Sequence, residues 1–201
     1  MWEDGPDRQN QLIISGRYTS APDTDEHSRL THAVIRNRQR TGSLGLAPAC
    51  NLFSANSTDL DALAWAVEQG CTVISQSFHR DDEPGRSSLN FDDVYKDWLA
   101  IHIPYPTICQ AAGNFWATDP DDIDPPQDEF VNHKGFNGLV VANHDDTGTS
   151  MSGSSVFRNL ASPHGDRELP DVSANGTHVT AVGLTMSGTS FAAPAVVWAW
   201  R

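Results

Sequence analysis

The segment at residues 187–194, Ser-Gly-Thr-Ser-Phe-Ala-Ala-Pro, constrains the fold most, because it joins a sharp turn to a buried helix. Gly188 permits the turn, Ser190 opens the helix, and Pro194 lies early enough in the helix to be tolerated. The six residues that follow are almost entirely apolar, which indicates burial. Backbone N–H groups and the positive helix end favour an oxyanion formed during acyl transfer at such a serine. The pattern therefore predicts that Ser190 is a nucleophile.

A second stretch repeats the first letters of this pattern, since residues 148–151 read Gly-Thr-Ser-Met. The chain continues there with Ser-Gly-Ser-Ser, which is typical of a polar loop. A serine in a loop has no helix whose dipole could stabilise an oxyanion. We therefore predict that Ser150 is not the nucleophile.

A candidate oxyanion donor lies after the apolar strand pattern at residues 107–112. The next two residues are Gly113 and Asn114. Gly113 allows the chain to turn, so that the side-chain amide of Asn114 can point back over the strand ends. An amide in that place can donate a hydrogen bond to the oxyanion.

These two segments resemble those of the subtilisin-like serine proteases, whose motifs read Gly-Thr-Ser-Met/Phe-Ala-Ala-Pro and Ala-Ala-Gly-Asn. Residues 45–48, Gly-Leu-Ala-Pro, are similar to the Gly-Val-Ala-Pro segment that follows the histidine helix in that family. The resulting register implies that His27 is the general base, with His32 as the alternative. Family members usually have Gly-Thr after this histidine, whereas the present chain has Ser28 and Arg29.

The resemblance also implies a carboxylate that orients the imidazole, at the end of the first core strand and followed by a small residue and Gly. This chain begins Met-Trp-Glu-Asp-Gly, so the register from Gly5 places Glu3 at the carboxylate position. Asp4 is the alternative. A glutamate can do the same electrostatic work if the backbone retreats by about one methylene.

Substrate contacts are implied by a third similarity. The family has a strand that ends in Ser-Leu-Gly-Gly and pairs with the substrate through its backbone. The corresponding residues here are Ser77, Phe78, His79 and Arg80, and Gly113 lies in the other substrate-binding segment. Two bulky polar side chains therefore replace two glycines, and we expect a substrate preference that differs from the usual one.

Strand and helix patterns alternate along the chain. Buried strands are predicted at residues 51–55, 72–77, 107–112 and 139–142, and helices at residues 59–69 and 91–101. This order implies an α/β fold with three layers, α/β/α, and a mostly parallel central sheet whose carboxyl edge carries the site. We expect residues 1–201 to form a single subtilisin-like peptidase domain that is truncated at both ends.

The charge balance limits the partners. The net charge of −13 argues against binding to nucleic acid or an anionic membrane, and no apolar run is long enough to span a bilayer. No cofactor is predicted. The acidic loop at residues 119–129 could bind calcium, but its spacing matches no fixed ligand pattern. The expected partner is a peptide or protein substrate.

The resemblance implies a serine endopeptidase that hydrolyses peptide bonds through a Ser/His/carboxylate triad and an asparagine oxyanion hole. The alternative is a noncatalytic relative that keeps the fold and binds peptides with a degraded triad. Glu3, Ser28-Arg29 and His79-Arg80 are the departures that favour this alternative.

Overall fold

The structure is a computed structural model that describes residues 1–20, 25–39, 44–78, 89–114, 134–145 and 169–197. Its strands, in chain order, are β1 (Gly16–Arg17), β2 (Phe53–Ser54), β3 (Val73–Gln76), β4 (Thr107–Ala111), β5 (Leu139–His144), β6 (Val172–Asn175), β7 (Val179–Ala181) and β8 (Leu184–Met186). Its helices are α1 (Glu26–Ile35), α2 (Leu60–Glu68), α3 (Phe91–Ala100) and α4 (Thr189–Val197).

Four strands form the central sheet in the order β3-β4-β5-β6, and every neighbouring pair is parallel. β1 and β2 form a second parallel pair. Residues 1–2 lie between the central sheet and this pair, since the Trp2 N–H donates to the Ser75 carbonyl at 2.9 Å and the Ala55 N–H donates to the Met1 carbonyl at 2.9 Å. The predicted mostly parallel sheet is confirmed, and Glu3 follows directly at its carboxyl edge.

Successive side chains of β4 face two different helical layers, one on each side of the sheet. Ile108 faces the cluster that contains Leu63 of α2 and Leu99 of α3. Its neighbour Cys109 faces the opposite cluster, which contains Ala192 of α4. Because successive side chains of a strand point to opposite faces, α2 and α3 cover one side of the sheet and α4 covers the other. The predicted α/β/α architecture is therefore confirmed.

The sequence patterns missed the elements that are short or exposed. β6 is largely exposed and polar, so it lacks the apolar run that identified the other strands of the sheet. The antiparallel pair of β7 and β8 was also not predicted, because each strand has only three residues. The predicted strands and helices are otherwise found within about two residues of their predicted ends.

Candidate active site

The first turns of α1 and α4 meet at the site. Asp25 caps α1, since its carboxylate oxygens accept hydrogen bonds from the N–H groups of His27 at 2.9 Å and Ser28 at 3.1 Å. This cap places His27 at the mouth of the helix. Its imidazole packs against the ring of Phe191, with 5.3 Å between the ring centroids. His27 is thus brought next to the residue that follows Ser190.

Glu3 lies against His27. Its Oε2 is 3.6 Å from His27 Nδ1, while Asp25 Oδ2 is 3.8 Å from the same nitrogen. Glu3 is buried, and burial raises the pKa of its carboxyl group to about 8. Asp4 is exposed, and its backbone carbonyl accepts a hydrogen bond from Ser28 Oγ at 2.7 Å. The structure therefore brings Glu3 to the imidazole and places Asp4 at the surface.

The other carboxylate oxygen of Glu3 faces the interior of α1. Thr31 Oγ1 donates a short hydrogen bond to Glu3 Oε1. The same oxygen is 3.5 Å from His32 Nδ1. His32 is fully buried, which lowers the pKa of its imidazole to about 3. His32 therefore lies behind Glu3, on the side away from His27.

Ser190 lies in the first turn of α4 and is 8% exposed. Its hydroxyl donates to the Ser77 carbonyl at 3.3 Å, and Ser77 Oγ donates to the Ser190 carbonyl at 2.9 Å. The second bond has a local cause. Pro194 has no N–H, so it cannot donate to the carbonyl of Ser190 four residues earlier. Ser77 takes the place of that missing helix donor and ties α4 to the end of β3.

Asn114 lies beside the turn that precedes α4. Its Oδ1 accepts hydrogen bonds from the Thr189 N–H at 2.9 Å and from Thr189 Oγ1 at 3.1 Å. A Cβ atom at Gly188 would lie 3.2 Å from this Oδ1, so glycine permits the close approach. Since Oδ1 is the acceptor in both bonds, Nδ2 is the atom of this amide that can donate to an oxyanion.

The structure describes some of the predicted substrate-binding residues and not others. Gly113 turns the chain at φ 100°, and its N–H donates to Thr189 Oγ1 at 3.1 Å. The Phe78 ring packs edge-on against Trp2, with centroids 4.9 Å apart. The remaining predicted residues lie outside the described part of the chain: His79, Arg80, Ser150 and the acidic loop at residues 119–129.

Comparison with known proteins identifies the family. A model of the subtilase family, peptidase S8, matches residues 19–200. The chain belongs to the subtilase family. The match includes His27, Asn114 and Ser190, whereas Glu3 and Asp4 precede it. No curated protein matches this subtilase.

Solved structures share the fold of this subtilase at low sequence identity. The protease domain of PatA, solved as a mutant, has 20% identity and a TM-score of 0.67, with coverage of 97% of this chain and 74% of that one. A cold-adapted subtilisin-like serine proteinase has 18% identity and a TM-score of 0.61, with coverage of 97% and 70%. The patellamide maturation protease PatG has 15% identity and a TM-score of 0.62, with coverage of 88% of this chain and 51% of that one. The subtilase thus spans about half the length of PatG.

The described residues contain no group of three or more His, Cys, Asp or Glu side chains that could hold a metal ion. None of the helices in the described ranges has the length and hydropathy needed to cross a membrane.

Polar residues around Glu3 were missed by sequence reasoning. These are Thr31, Ser54 and Asn56, all of which are buried. The signal in the sequence is the pair Thr31-His32 among the apolar residues Leu30, Ala33 and Val34 of α1. That signal does not indicate which group the pair contacts.

Proposed function

We propose that this subtilase is a serine endopeptidase. Ser190 attacks the peptide carbonyl, and His27 takes the serine proton and returns it to the leaving amine. Glu3 orients the imidazole and stabilises its cationic form. Asn114 Nδ2 and the Ser190 N–H donate to the oxyanion of the tetrahedral intermediate.

The contact between Glu3 and His27 carries the proposal. Oε2 of the buried Glu3 carboxylate lies 3.6 Å from His27 Nδ1. In a triad, this imidazole nitrogen faces away from the substrate. The Phe191 ring packs against the same imidazole, so this pair lies beside α4, the helix whose first turn contains Ser190. Three segments that are far apart in the sequence are thereby assembled at one edge of the sheet.

The hydroxyl of Ser190 is directed toward Ser77 rather than toward His27 in this structure. It donates to the Ser77 carbonyl at 3.3 Å, a long hydrogen bond that costs little to break. Attack requires rotation of the hydroxyl toward His27. Catalytic hydrogen bonds in unliganded enzymes are often loose and tighten only with substrate, so this geometry is compatible with the proposed role.

Peptides are the proposed substrates. A structure of the PatG macrocyclase in complex with peptide is among the proteins of similar fold. In this chain, Gly113 contacts Thr189 and Ser77 contacts Ser190, so both segments lie beside the proposed nucleophile. We propose that Ser77, Phe78, His79 and Gly113 form the peptide-binding surface.

A noncatalytic peptide-binding protein is the second candidate. It is favoured by the burial of Glu3, which raises the pKa of its carboxyl group to about 8, because a protonated carboxyl group cannot stabilise an imidazolium. Such a protein would bind peptides without covalent chemistry at Ser190.

Labelling by an active-site-directed fluorophosphonate distinguishes the two candidates. We expect the wild-type chain to be labelled and to digest unfolded protein, and Ser190→Ala to lose both activities. Ser150→Ala is the matched control, since it removes the serine of the similar Gly-Thr-Ser-Met stretch. Peptide binding without labelling would instead support the noncatalytic candidate, and equal loss in both variants would contradict the assignment of Ser190.

A further inference from the structure

A row of buried polar groups runs behind Glu3, from α1 to β2. His32 Nδ1 lies 2.6 Å from the Ser28 carbonyl oxygen and 3.5 Å from Glu3 Oε1. Its Nε2 lies 2.8 Å from Ser54 Oγ. Ser54 Oγ lies in turn 2.6 Å from Asn56 Oδ1. These distances make the row from Ser28 to Asn56 a continuous chain of hydrogen bonds.

The orientation of Asn56 is set by its other contact. Asn56 Nδ2 donates to the Thr19 carbonyl at 2.7 Å. If the amide were turned over, two oxygen atoms would face each other at that distance. Asn56 Oδ1 therefore faces Ser54 and is an acceptor. The Ser28 carbonyl at the opposite end is also an acceptor, so neither end supplies a hydrogen.

The row needs more hydrogens than its neutral groups possess. Its three links join Ser28 to His32, His32 to Ser54, and Ser54 to Asn56. The Ser54 hydroxyl supplies one hydrogen, and a neutral imidazole supplies one more at a single nitrogen. One buried link is then left as two facing lone pairs. Only an imidazole with hydrogens on both nitrogens completes the row.

We propose that His32 carries both ring protons and that it takes the second from Glu3, which makes His32 a positioning residue that keeps Glu3 ionised toward His27. The O–H bond at Glu3 Oε1 breaks and an N–H bond forms at His32 Nδ1. The total charge of the pair is unchanged. This inference rests on the proposed function, in which the orienting carboxylate must be an anion.

The surroundings of the pair agree with one shared proton. Burial raises the pKa of Glu3 to about 8 and lowers that of His32 to about 3, so the pair holds one proton near neutral pH. Burial alone leaves that proton on Glu3, and the three links of the row draw it to His32. Thr31 Oγ1, which also lies 3.0 Å from the Ser28 carbonyl oxygen, supports the transfer when its one hydrogen is donated to the Glu3 carboxylate.

Other charged groups also face the pair. Those that act on Glu3 are the Met1 amino group, Asp4 and Asp25, and those that act on His32 are the Met1 amino group, Arg17 and His27. A pH titration must therefore follow the His32 ring itself. A change in activity alone would not separate His32 from His27.

Nitrogen-15 NMR of the histidine rings in the full chain tests the proton assignment directly. We expect both ring nitrogens of His32 to be protonated between about pH 5 and pH 7. The signals are assigned by their loss in His32→Gln, or by through-bond correlation if that variant does not fold. One protonated and one bare nitrogen over the same range would overturn the inference.

Labelling rates measured against pH test the positioning role. In His32→Gln, Glu3 keeps its proton. With a pKa of about 8, roughly a tenth of the Glu3 carboxyl groups are ionised at pH 7. We therefore expect labelling at pH 7 to be about tenfold slower than in the wild type. The rate should recover as the pH rises above 8. Glu3→Gln should show no such recovery, and the double variant should label no more slowly than Glu3→Gln alone. A loss that is the same at every pH would show that His32 is merely structural.

Ser54→Ala provides a second variant that keeps the imidazole. It removes the hydroxyl that links His32 Nε2 to Asn56. Only the link between His32 and Ser28 then remains, and a neutral imidazole has enough hydrogens for it. We expect the same recovery at high pH, with a smaller loss at pH 7. A wild-type pH profile in Ser54→Ala would contradict the inference.

The results separate this inference from the proposed function. A doubly protonated His32 in a chain that is never labelled would uphold the proton assignment and overturn the endopeptidase. A neutral His32 in a chain that is labelled would uphold the endopeptidase and overturn the inference.

Discussion

Asn114 shows how one side chain can have two tasks at the residue scale. Its oxygen accepts both bonds from Thr189 and so fixes the turn before the nucleophile. In the proposed mechanism, this leaves its nitrogen as the donor toward the reacting carbonyl. The structural task does not depend on substrate, whereas the proposed donor task matters only when negative charge develops.

Asn114→Ala tests the donor task. We expect kcat to fall by roughly 10²–10³ with little change in KM, because an oxyanion donor acts mainly in the transition state. Thr189→Val is the control, since it removes the two hydrogen bonds of the Thr189 hydroxyl, one to Asn114 and one from the Gly113 N–H, and keeps the N–H bond to Asn114. Peptidase kinetics on one substrate measure both variants. A normal kcat in Asn114→Ala would remove Asn114 from the mechanism.

The acid of the triad is tested by Glu3→Gln and Asp4→Asn. We expect Glu3→Gln to lower kcat by about 10⁴, because the imidazole loses the group that sets its tautomer and stabilises its cation. Asp4→Asn should have a mild effect, since Asp4 is exposed and Glu3 Oε2 lies 3.6 Å from His27 Nδ1. The opposite ranking would move the triad acid to Asp4, and two mild effects would support the noncatalytic candidate.

At the scale of secondary structure, α4 lacks one internal hydrogen bond, and a residue at the end of β3 replaces it. Pro194 removes the helix hydrogen bond to the Ser190 carbonyl, and Ser77 at the end of β3 supplies the donor instead. Ser190 is thereby attached to the sheet through its own backbone. Packing of Ala192 and Ala193 against β4 and β5 adds apolar burial along the same helix.

Ser77→Ala should destabilise the fold by about 1–3 kcal/mol, because it leaves the buried Ser190 carbonyl without a donor. Ser75→Ala is a matched control in the same segment. The Ser75 hydroxyl is buried and has no hydrogen-bond partner among the described residues, so its removal should cost little. Urea denaturation of both variants measures the difference.

The Pro194→Ala background sharpens this test. Alanine restores the N–H that can donate to the Ser190 carbonyl, so Ser77→Ala should cost less there than in the wild type. Equal costs in the two backgrounds would mean that the Ser77 bond does not replace the missing helix bond.

At the scale of the whole molecule, the buried pair links folding to pH. The folded pair takes up its first proton near pH 8 and its second near pH 3, whichever residue holds the first, whereas the ordinary pKa values of His32 and Glu3 are 6.5 and 4.5. Stability contributed by the pair is therefore lost as the pH rises from 6.5 to 8 and as it falls from 4.5 to 3. The sum is a plateau between these ordinary values, with a fall on either side.

We therefore expect the free energy of unfolding to fall from pH 6.5 to pH 8, by up to about 1.4 kcal/mol per pH unit. Glu3→Gln should abolish this fall, because its amide does not titrate. Urea denaturation in a series of buffers measures the curves. A fall of the same size in Glu3→Gln would assign it to another group.

Local patterns were sufficient for much of this fold. The turn and helix around Ser190, the Gly113-Asn114 turn and the buried strands were predictable because each depends on neighbouring residues and their hydrophobic period. The parallel alignment of β3 and β4 also followed, since the helical pattern at residues 91–101 lies between these two predicted strands. Family membership is shown by the match over residues 19–200.

The register from Gly5 favoured Glu3 over Asp4, but only the tertiary structure gives a physical difference between these adjacent acidic residues, since Glu3 is buried and Asp4 is exposed. Their difference arises from residues 1–2, which pair with β3 and with Ala55 and so direct Glu3 inward. The replacement of a helix bond by Ser77 and the row behind Glu3 were likewise not predictable. His32 and Ser54 are 22 positions apart, and such pairs meet only when the packing of the whole chain brings their buried polar groups together.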